Sequence, residues 1–241
     1  NHHHHGKKEE MEKRDTIFNL EKVKNISETI STTFEHVSIF LHEISESLDK
    51  TIEALFNQNE YNLAAERKKT NKINQWSNVI IANIFKSLRL LQKEDHKHYK
   101  YSRIIRRLQR LSNAYCDIVI RAHDHVMNHH KGLLDVQVSE LKQIKSHLVN
   151  IIKEVELLLS KNQIGKSDAI KLKADELQKL SLEFEENQLK RIKTKESKTR
   201  HSILYFSILG NANVMTTQNI KLLEIFDESF SSVYTKNETN F

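Results

Sequence analysis

The sequence predicts an all-α protein, and three observations support that prediction. The chain of 241 residues contains no proline and four glycines, too few for the many tight turns that connect the strands of an all-β fold. Apolar residues recur at spacings of three and four along most of the chain, which is the period of an amphipathic helix. The one cysteine, Cys116, excludes a disulfide-rich scaffold and fits a reducing compartment.

Six apolar stripes predict six long helices. With margins of about two to four residues at each end, the helices are expected at 27–57, 60–94, 97–130, 136–161, 167–196 and 199–232. Long helices joined by short loops become antiparallel neighbours. The prediction is therefore either one elongated bundle of six antiparallel helices or two three-helix bundles side by side.

The ends of the chain and the bundle boundary follow from the same stripes. Residues 1–6 have the composition of a purification-tag remnant and are set aside from the functional argument. We expect a lead segment or short helix at 7–25 and a disordered tail at 235–241. The helical domain then covers 26–234, with 26–130 as the first three-helix bundle and 131–234 as the second.

Glycines mark two of the predicted helix ends. Gly132 follows a histidine-rich helix end, where a left-handed cap suits glycine, and Asp135 lies where the next helix needs an N-cap. Gly165 ends the fourth helix, and Ser167 or Asp168 can cap the fifth. Gly210 lies inside the last helix, where it costs about 1 kcal/mol relative to alanine, so a close helix crossing is expected there.

Charge and hydropathy permit contact with a membrane surface but predict no membrane span. The 38 Lys and Arg against 32 Asp and Glu give a net charge of +6, which allows contact with an anionic surface. No run reaches the roughly 20 consecutive apolar residues that a spanning helix needs. We expect the chain as given to be soluble, and this expectation is compatible with a soluble part excised from a larger membrane protein.

Histidines near the end of the third predicted helix are the candidate metal ligands. His125 and His129 are four residues apart and share a helix face, and Asp124 lies beside them. The favoured interpretation is that these side chains cap the end of the core through hydrogen bonds to carbonyls or carboxylates. The pair His123 and Asp124 also allows the alternative of a metal-dependent phosphohydrolase, although no distant partners are identifiable. We expect no catalytic residue and no cofactor.

Two basic stretches are the candidate contacts for an anionic surface. Arg103, Arg107 and Arg110 fall on one face of the third helix, and the second stretch contains Lys193, Lys195 and Lys198. The plainer interpretation of both stretches is a solvated helix surface with ion pairs. Nucleic acid is not expected as a partner, because no recognition-helix module is apparent.

Three stretches of the sequence carry a family resemblance: residues 103–118, 125–133 and 188–209. They resemble the soluble tail of bacterial sodium/phosphate cotransporters, which is PhoU-like, and the resemblance extends over about 26–230. It implies a pair of three-helix bundles acting as a non-enzymatic regulatory domain on the cytoplasmic side of the inner membrane. The implied partner is the transmembrane transporter domain of the same polypeptide, and an anionic membrane surface, a regulatory protein and a second copy of the chain are further candidates.

The metal motif of PhoU-like proteins is altered in this sequence. The family's Glu-x-x-x-Asp spacing aligns with Gln109 and Asn113. Neutral amides offer carbonyl oxygens but no negative charge, so tight iron or zinc binding is not expected there. A helical adaptor or scaffold with no transporter connection remains the alternative function.

Overall fold

The computed structural model describes residues 2–19, 25–90, 96–161 and 167–238, and all regular structure in these ranges is helical. The prediction of an all-α fold is confirmed. The described ranges contain seven α-helices: α1 (His2–Ile17), α2 (Ile26–Phe56), α3 (Glu60–Leu90), α4 (Ile104–Met127), α5 (Asp135–Lys161), α6 (Ser167–Lys193) and α7 (Thr199–Glu238). The six long helices correspond to α2–α7, and α1 begins within residues 1–6 and covers part of the predicted lead segment at 7–25.

Helices α2–α4 contact one another, as do α5–α7, but the two sets share one core. The contacts of α2 with α5 and of α4 with α7 are the most extensive in the molecule. These four helices form a central layer, with α3 and α6 on its two sides. Leu48, Ile118, Ile144 and Ile208, one residue from each central helix, meet around a small apolar cavity. The two sets are therefore joined by apolar packing along their length.

Several predicted boundaries needed correction. The predicted helix at 97–130 is a 3₁₀ segment at His96–Arg103 followed by α4, which ends at Met127. A 3₁₀ turn is common where a helix begins, and this one buries Tyr101. Helix α7 continues to Glu238, past the point at which the tail was expected to begin. Gly165, predicted to end the fourth helix, lies outside the described residues.

Three helices end in a left-handed residue that is not glycine. The φ angles are 52° at Gln58, 56° at His129 and 60° at Lys195. At each position the amides of this residue and the next one bond carbonyls of the last turn, as in a Schellman motif. Gly132 was predicted as the left-handed cap, but α4 ends earlier than expected, so the position falls at His129.

Helix α1 is held against α2 and α3 by polar contacts. Asp15 accepts hydrogen bonds from Lys72 Nζ and Trp76 Nε1, both at 2.8 Å. Phe18 stacks on the Trp76 indole with ring centroids 5.3 Å apart. The hydrogen bond from Lys72 lowers the pKa of Asp15, so this contact is favoured at neutral pH.

Gly210 does not lie at a close helix crossing. A Cβ built on this residue would meet no heavy atom within 4 Å, so the expected crossing is wrong. Among the described helices, none combines the length and apolarity needed to cross a bilayer.

Candidate functional site

The histidines gather where the α4–α5 and α6–α7 loops meet. Nε2 of His125 and Nε2 of His201 lie 2.9 and 2.8 Å from the same backbone carbonyl, that of Lys131. A carbonyl only accepts, so each ring donates through Nε2–H. One side chain comes from α4 and the other from α7, so this contact fastens the crossover between the two sets of helices.

Burial lowers the pKa of His125, and the nearby His130, His201 and Arg200 lower it further, against the opposing effect of the Lys131 carbonyl. Arg200 Nη1 lies 2.7 Å from Nδ1 of His130. A guanidinium can only donate, so this ring nitrogen accepts. The cluster is therefore a structural clamp in which burial favours the neutral form of His125.

The three candidate metal ligands do not converge. Asp124 accepts from Arg67 Nη1 at 2.7 Å, and the same nitrogen lies 3.1 Å from Nδ1 of His123. His125 bonds the Lys131 carbonyl, while His129 is exposed in its left-handed conformation. Within the described residues, no three His, Cys, Asp or Glu side chains form a group that could hold a metal ion. Arg67 on α3 thus contacts both His123 and Asp124, the pair on which the phosphohydrolase alternative depended.

A buried polar network occupies the same end of the molecule. Arg191 Nη2 lies 2.6 Å from Glu140 Oε1, which also accepts from the Tyr205 hydroxyl at 2.7 Å. Gln188 Oε1 accepts from Arg191 Nε, and its amide nitrogen donates to Ser202. The network links α5, α6 and α7, and its carboxylate and guanidinium satisfy each other.

The pKa directions in this network follow from the ion pair. Burial alone would lower the pKa of Arg191, but the hydrogen bond and charge of Glu140 raise it overall. Burial and the bond to Glu140 raise the pKa of Tyr205. Arg191 belongs to the basic stretch at 190–200 in the sequence, yet it is buried and unavailable to an external anion.

The arginines at the start of α4 differ in their surroundings. Arg103 is exposed and lies 3.7 Å from Glu228 Oε2 on α7. Arg110 is exposed, whereas Arg107 is half-buried and its Nη1 atom has no hydrogen-bond partner among the described residues. Burial lowers the pKa of Arg107, and the charges of Arg110 and Arg106 lower it further. The three predicted residues therefore belong to a cluster of guanidinium groups that repel one another.

Lys193, Lys195 and Lys198 are exposed, but they lie at the other end of the molecule. They flank the α6–α7 loop, which contacts the α4–α5 loop through Arg200 and His130. From Arg103 to the end of α4 is about 36 Å at 1.5 Å per residue. The two predicted basic groups are thus two separate surfaces.

Sequence reasoning missed two residues near the arginines, Phe85 and Arg89 on α3. Phe85 is 50% exposed, and Arg89 is exposed as well. Arg106, which belongs to the same basic stretch of the sequence as Arg103 and Arg110, is also exposed. Phe85 falls outside the apolar stripe of its helix, and this offset was the available signal for an exposed aromatic. Gln109 and Asn113, which stand where PhoU-like proteins have carboxylates, are exposed amides of α4.

Comparisons with known proteins show that the fold is similar to that of a phosphate transport regulator. No protein-family model matches the chain, and no curated protein matches it in sequence. The structure is similar to the crystal structure of the phosphate transport system regulatory protein PhoU from Streptococcus pneumoniae, with a TM-score of 0.69 at 15% sequence identity. The match covers 84% of this chain and 95% of that chain. The fold of this protein is therefore PhoU-like.

Proposed function

We propose that this protein is a non-enzymatic regulatory domain of a phosphate transport system and acts through contacts made by its helices. The observation that carries the proposal is the PhoU-like fold, which extends over 84% of the chain. The solved neighbour is a phosphate transport regulator by its title, and we extend that role to this chain.

The pairing of acidic with basic groups inside the fold supports a binding function rather than a catalytic one. Asp124 is paired with Arg67, and the buried Glu140 is paired with Arg191, so these groups are engaged within the fold. General acid–base catalysis requires such groups to reach a substrate. Among the basic residues that the sequence predicted as surface contacts, Arg110, Lys193, Lys195 and Lys198 are exposed.

The finer part of the proposal is that the domain serves a sodium-dependent transporter. It rests on the resemblance of residues 103–118 and 188–209 to the tails of sodium/phosphate cotransporters. These segments form the start of α4 and the α6–α7 corner with its buried network. On this proposal the domain faces the cytoplasmic side of the inner membrane, attached to the transporter's membrane segment.

The natural coding sequence tests the attachment. We expect hydrophobic spans upstream of residue 26 in the same reading frame. Their absence would overturn attachment in one chain and favour a separate regulator or adaptor.

Sodium-dependent phosphate uptake tests the regulatory role. Cells that carry an in-frame deletion of 26–230 should still insert the transporter but should lose the adjustment of uptake to external phosphate. The Gly210→Ala variant serves as the control, because it should retain that adjustment. An unchanged response in the deletion strain would overturn the regulatory role.

A further inference from the structure

Two packed segments of the first helix set carry positive charge without any acidic residue. Residues 67–90 of α3 contain six Lys or Arg, residues 100–116 contain five, and neither segment contains Asp or Glu. Arg67, Lys69 and Lys72 pair closely with carboxylates of other helices, and Lys100 and Arg103 each lie 3.7 Å from Glu228 Oε2 on α7. Residues 91–95, which include Glu94 and Asp95, lie outside the described part of the chain.

The register of α3 and α4 brings Phe85 close to the level of Arg106. Arg67 contacts Asp124, and Asn74 accepts from Cys116 Sγ at 3.7 Å, so the two helices are antiparallel. Phe85 lies as many residues after Asn74 on α3 as Ile105 lies before Cys116 on α4. Phe85 is therefore level with Ile105 and its neighbour Arg106. We call the surface formed by Phe85, Arg89, Arg103, Arg106 and Arg110 the arginine face.

The arginine face lacks close counter-charges. Among the described residues, Arg89, Arg106 and Arg110 make no ion pair. The carboxylate nearest to Arg103 is that of Glu228, whose Oε2 atom lies 3.7 Å from Nη1. Beneath the surface, the partnerless Nη1 of Arg107 adds to the local positive charge. Such a concentration of one charge raises the local concentration of anions.

The residue types favour phosphate groups as the anion. Guanidinium groups present a planar fork of N–H donors that matches phosphate oxygens, whereas an ammonium acts as a point charge. The four cations between residues 103 and 110 are all arginines. The surrounding exposed amides Gln109 and Asn113 can add neutral hydrogen bonds without repelling an anion.

The exposed ring of Phe85 favours a membrane over an acidic protein segment as the partner of the arginine face. The ring is half exposed, and Phe85 lies on α3 level with Arg106 of the antiparallel α4. An apolar side chain surrounded by cations is the pattern of proteins that lie on anionic bilayers, where the ring enters the headgroup region. Long arginine side chains can then reach the lipid phosphates.

We propose that the arginine face binds the phosphate groups of anionic phospholipids, with Phe85 inserted between the headgroups. The choice of a membrane as partner rests on the proposed function, whereas the assignment of this face rests on the described geometry. The lysines at the α6–α7 loop, at the opposite end of the molecule, are not part of the contact.

Vesicle co-sedimentation of the full chain tests this proposal, using phosphatidylcholine with and without phosphatidylglycerol at low and high salt. The triple variant Arg103→Gln, Arg106→Gln, Arg110→Gln is compared with Lys193→Gln, Lys195→Gln, Lys198→Gln, which loses the same charge. Each basic residue near an anionic surface contributes about fivefold to binding, so the arginine triple should lose on the order of 100-fold. The lysine triple should lose only a few-fold.

Phe85→Ser provides an independent arm, with the exposed Tyr61→Ser as its control. Only the Phe85 variant should weaken binding to the anionic vesicles, and high salt should weaken binding of the unaltered chain. Circular dichroism confirms that each variant remains helical.

Equal losses in the two triple variants would overturn the assignment to this face. Unchanged vesicle binding by the arginine triple would also overturn the assignment, because another surface would then hold the vesicles. Absent binding of the unaltered chain to anionic vesicles would overturn the lipid contact while leaving the uptake test of regulation intact. Competition by free inorganic phosphate at constant ionic strength would show that the site prefers the soluble anion.

Discussion

At the residue scale, Gly210 destabilises helix α7, and no contact in the described structure offsets that cost. It lies on the exposed side of α7, and an added Cβ would meet nothing within 4 Å. Gly210→Ala should therefore raise the free energy of unfolding by about 0.5–1 kcal/mol, because alanine loses less backbone entropy in a helix. Urea denaturation measures this change. Unaltered or reduced stability would show that the position is more crowded than described.

His125 makes the stability of the protein depend on pH. Because burial lowers its pKa in the folded state below the usual value of 6.5, the unfolded chain binds the proton more readily as the pH falls. Its stabilising contribution is complete above about pH 6.5 and declines as the pH falls toward the lowered pKa.

His125→Gln keeps an N–H donor for the Lys131 carbonyl but cannot take up a proton. Between pH 7.5 and pH 5.5 the variant should therefore lose less stability than the unaltered chain, as measured by urea midpoints at both pH values. Equal losses in the two proteins would mean that His125 does not contribute to the acid sensitivity.

At the element scale, the pair of Glu140 and Arg191 holds α5 and α6 together and reaches α7 through Tyr205. Arg191→Leu leaves the Glu140 carboxylate buried without its cation, so the free energy of unfolding should fall by about 3–5 kcal/mol. The double variant Glu140→Leu, Arg191→Leu should be less destabilised than this single variant, because no buried charge is left. Chemical denaturation of both proteins checks this order. A double variant that is less stable than the single one would contradict it.

The same elements show how far sequence reasoning reached. The stripes beginning at Ile30 and Ile104 predicted two central helices, because apolar period depends on local sequence and burial alone. The left-handed residue at His129 was missed, since its position depends on where α4 ends. The partner of His125 was missed because His201 lies 76 positions later in the chain, and periodicity carries no information on which helix ends meet.

At the scale of the whole molecule, the shared core predicts cooperative unfolding. Helices α2 and α4 bury apolar side chains against α5 and α7 along their length, as at Leu48 and Ile208. Calorimetry should therefore show one transition rather than one for each set of three helices. A fragment ending at residue 130 should lack a cooperative transition, because its central face would be exposed. Two separate transitions, or a stably folded fragment, would contradict this prediction.

The sequence predicted part of the arginine face. The remainder depends on how the helices are arranged in the whole molecule. Arg103 and Arg110 could be chosen from their spacing on one helix, because a helix fixes which residues share a face. The separation of Lys193, Lys195 and Lys198 from these arginines depends on how α4 and α6 are arranged in space, and the contribution of Phe85 depends on the register of α3 against α4. Neither relationship is contained in the pattern of a single helix.

The clamp at Lys131 has a consequence for limited proteolysis. This residue is exposed and lies in the crossover between the two sets of helices, so trypsin can cut after it. The cut would convert the carbonyl held by His125 and His201 into a terminal carboxylate, which attracts protonated imidazoles and the nearby Arg200 more strongly than a neutral carbonyl does. The nicked protein would therefore migrate as one particle under native conditions and separate into two fragments only in denaturant.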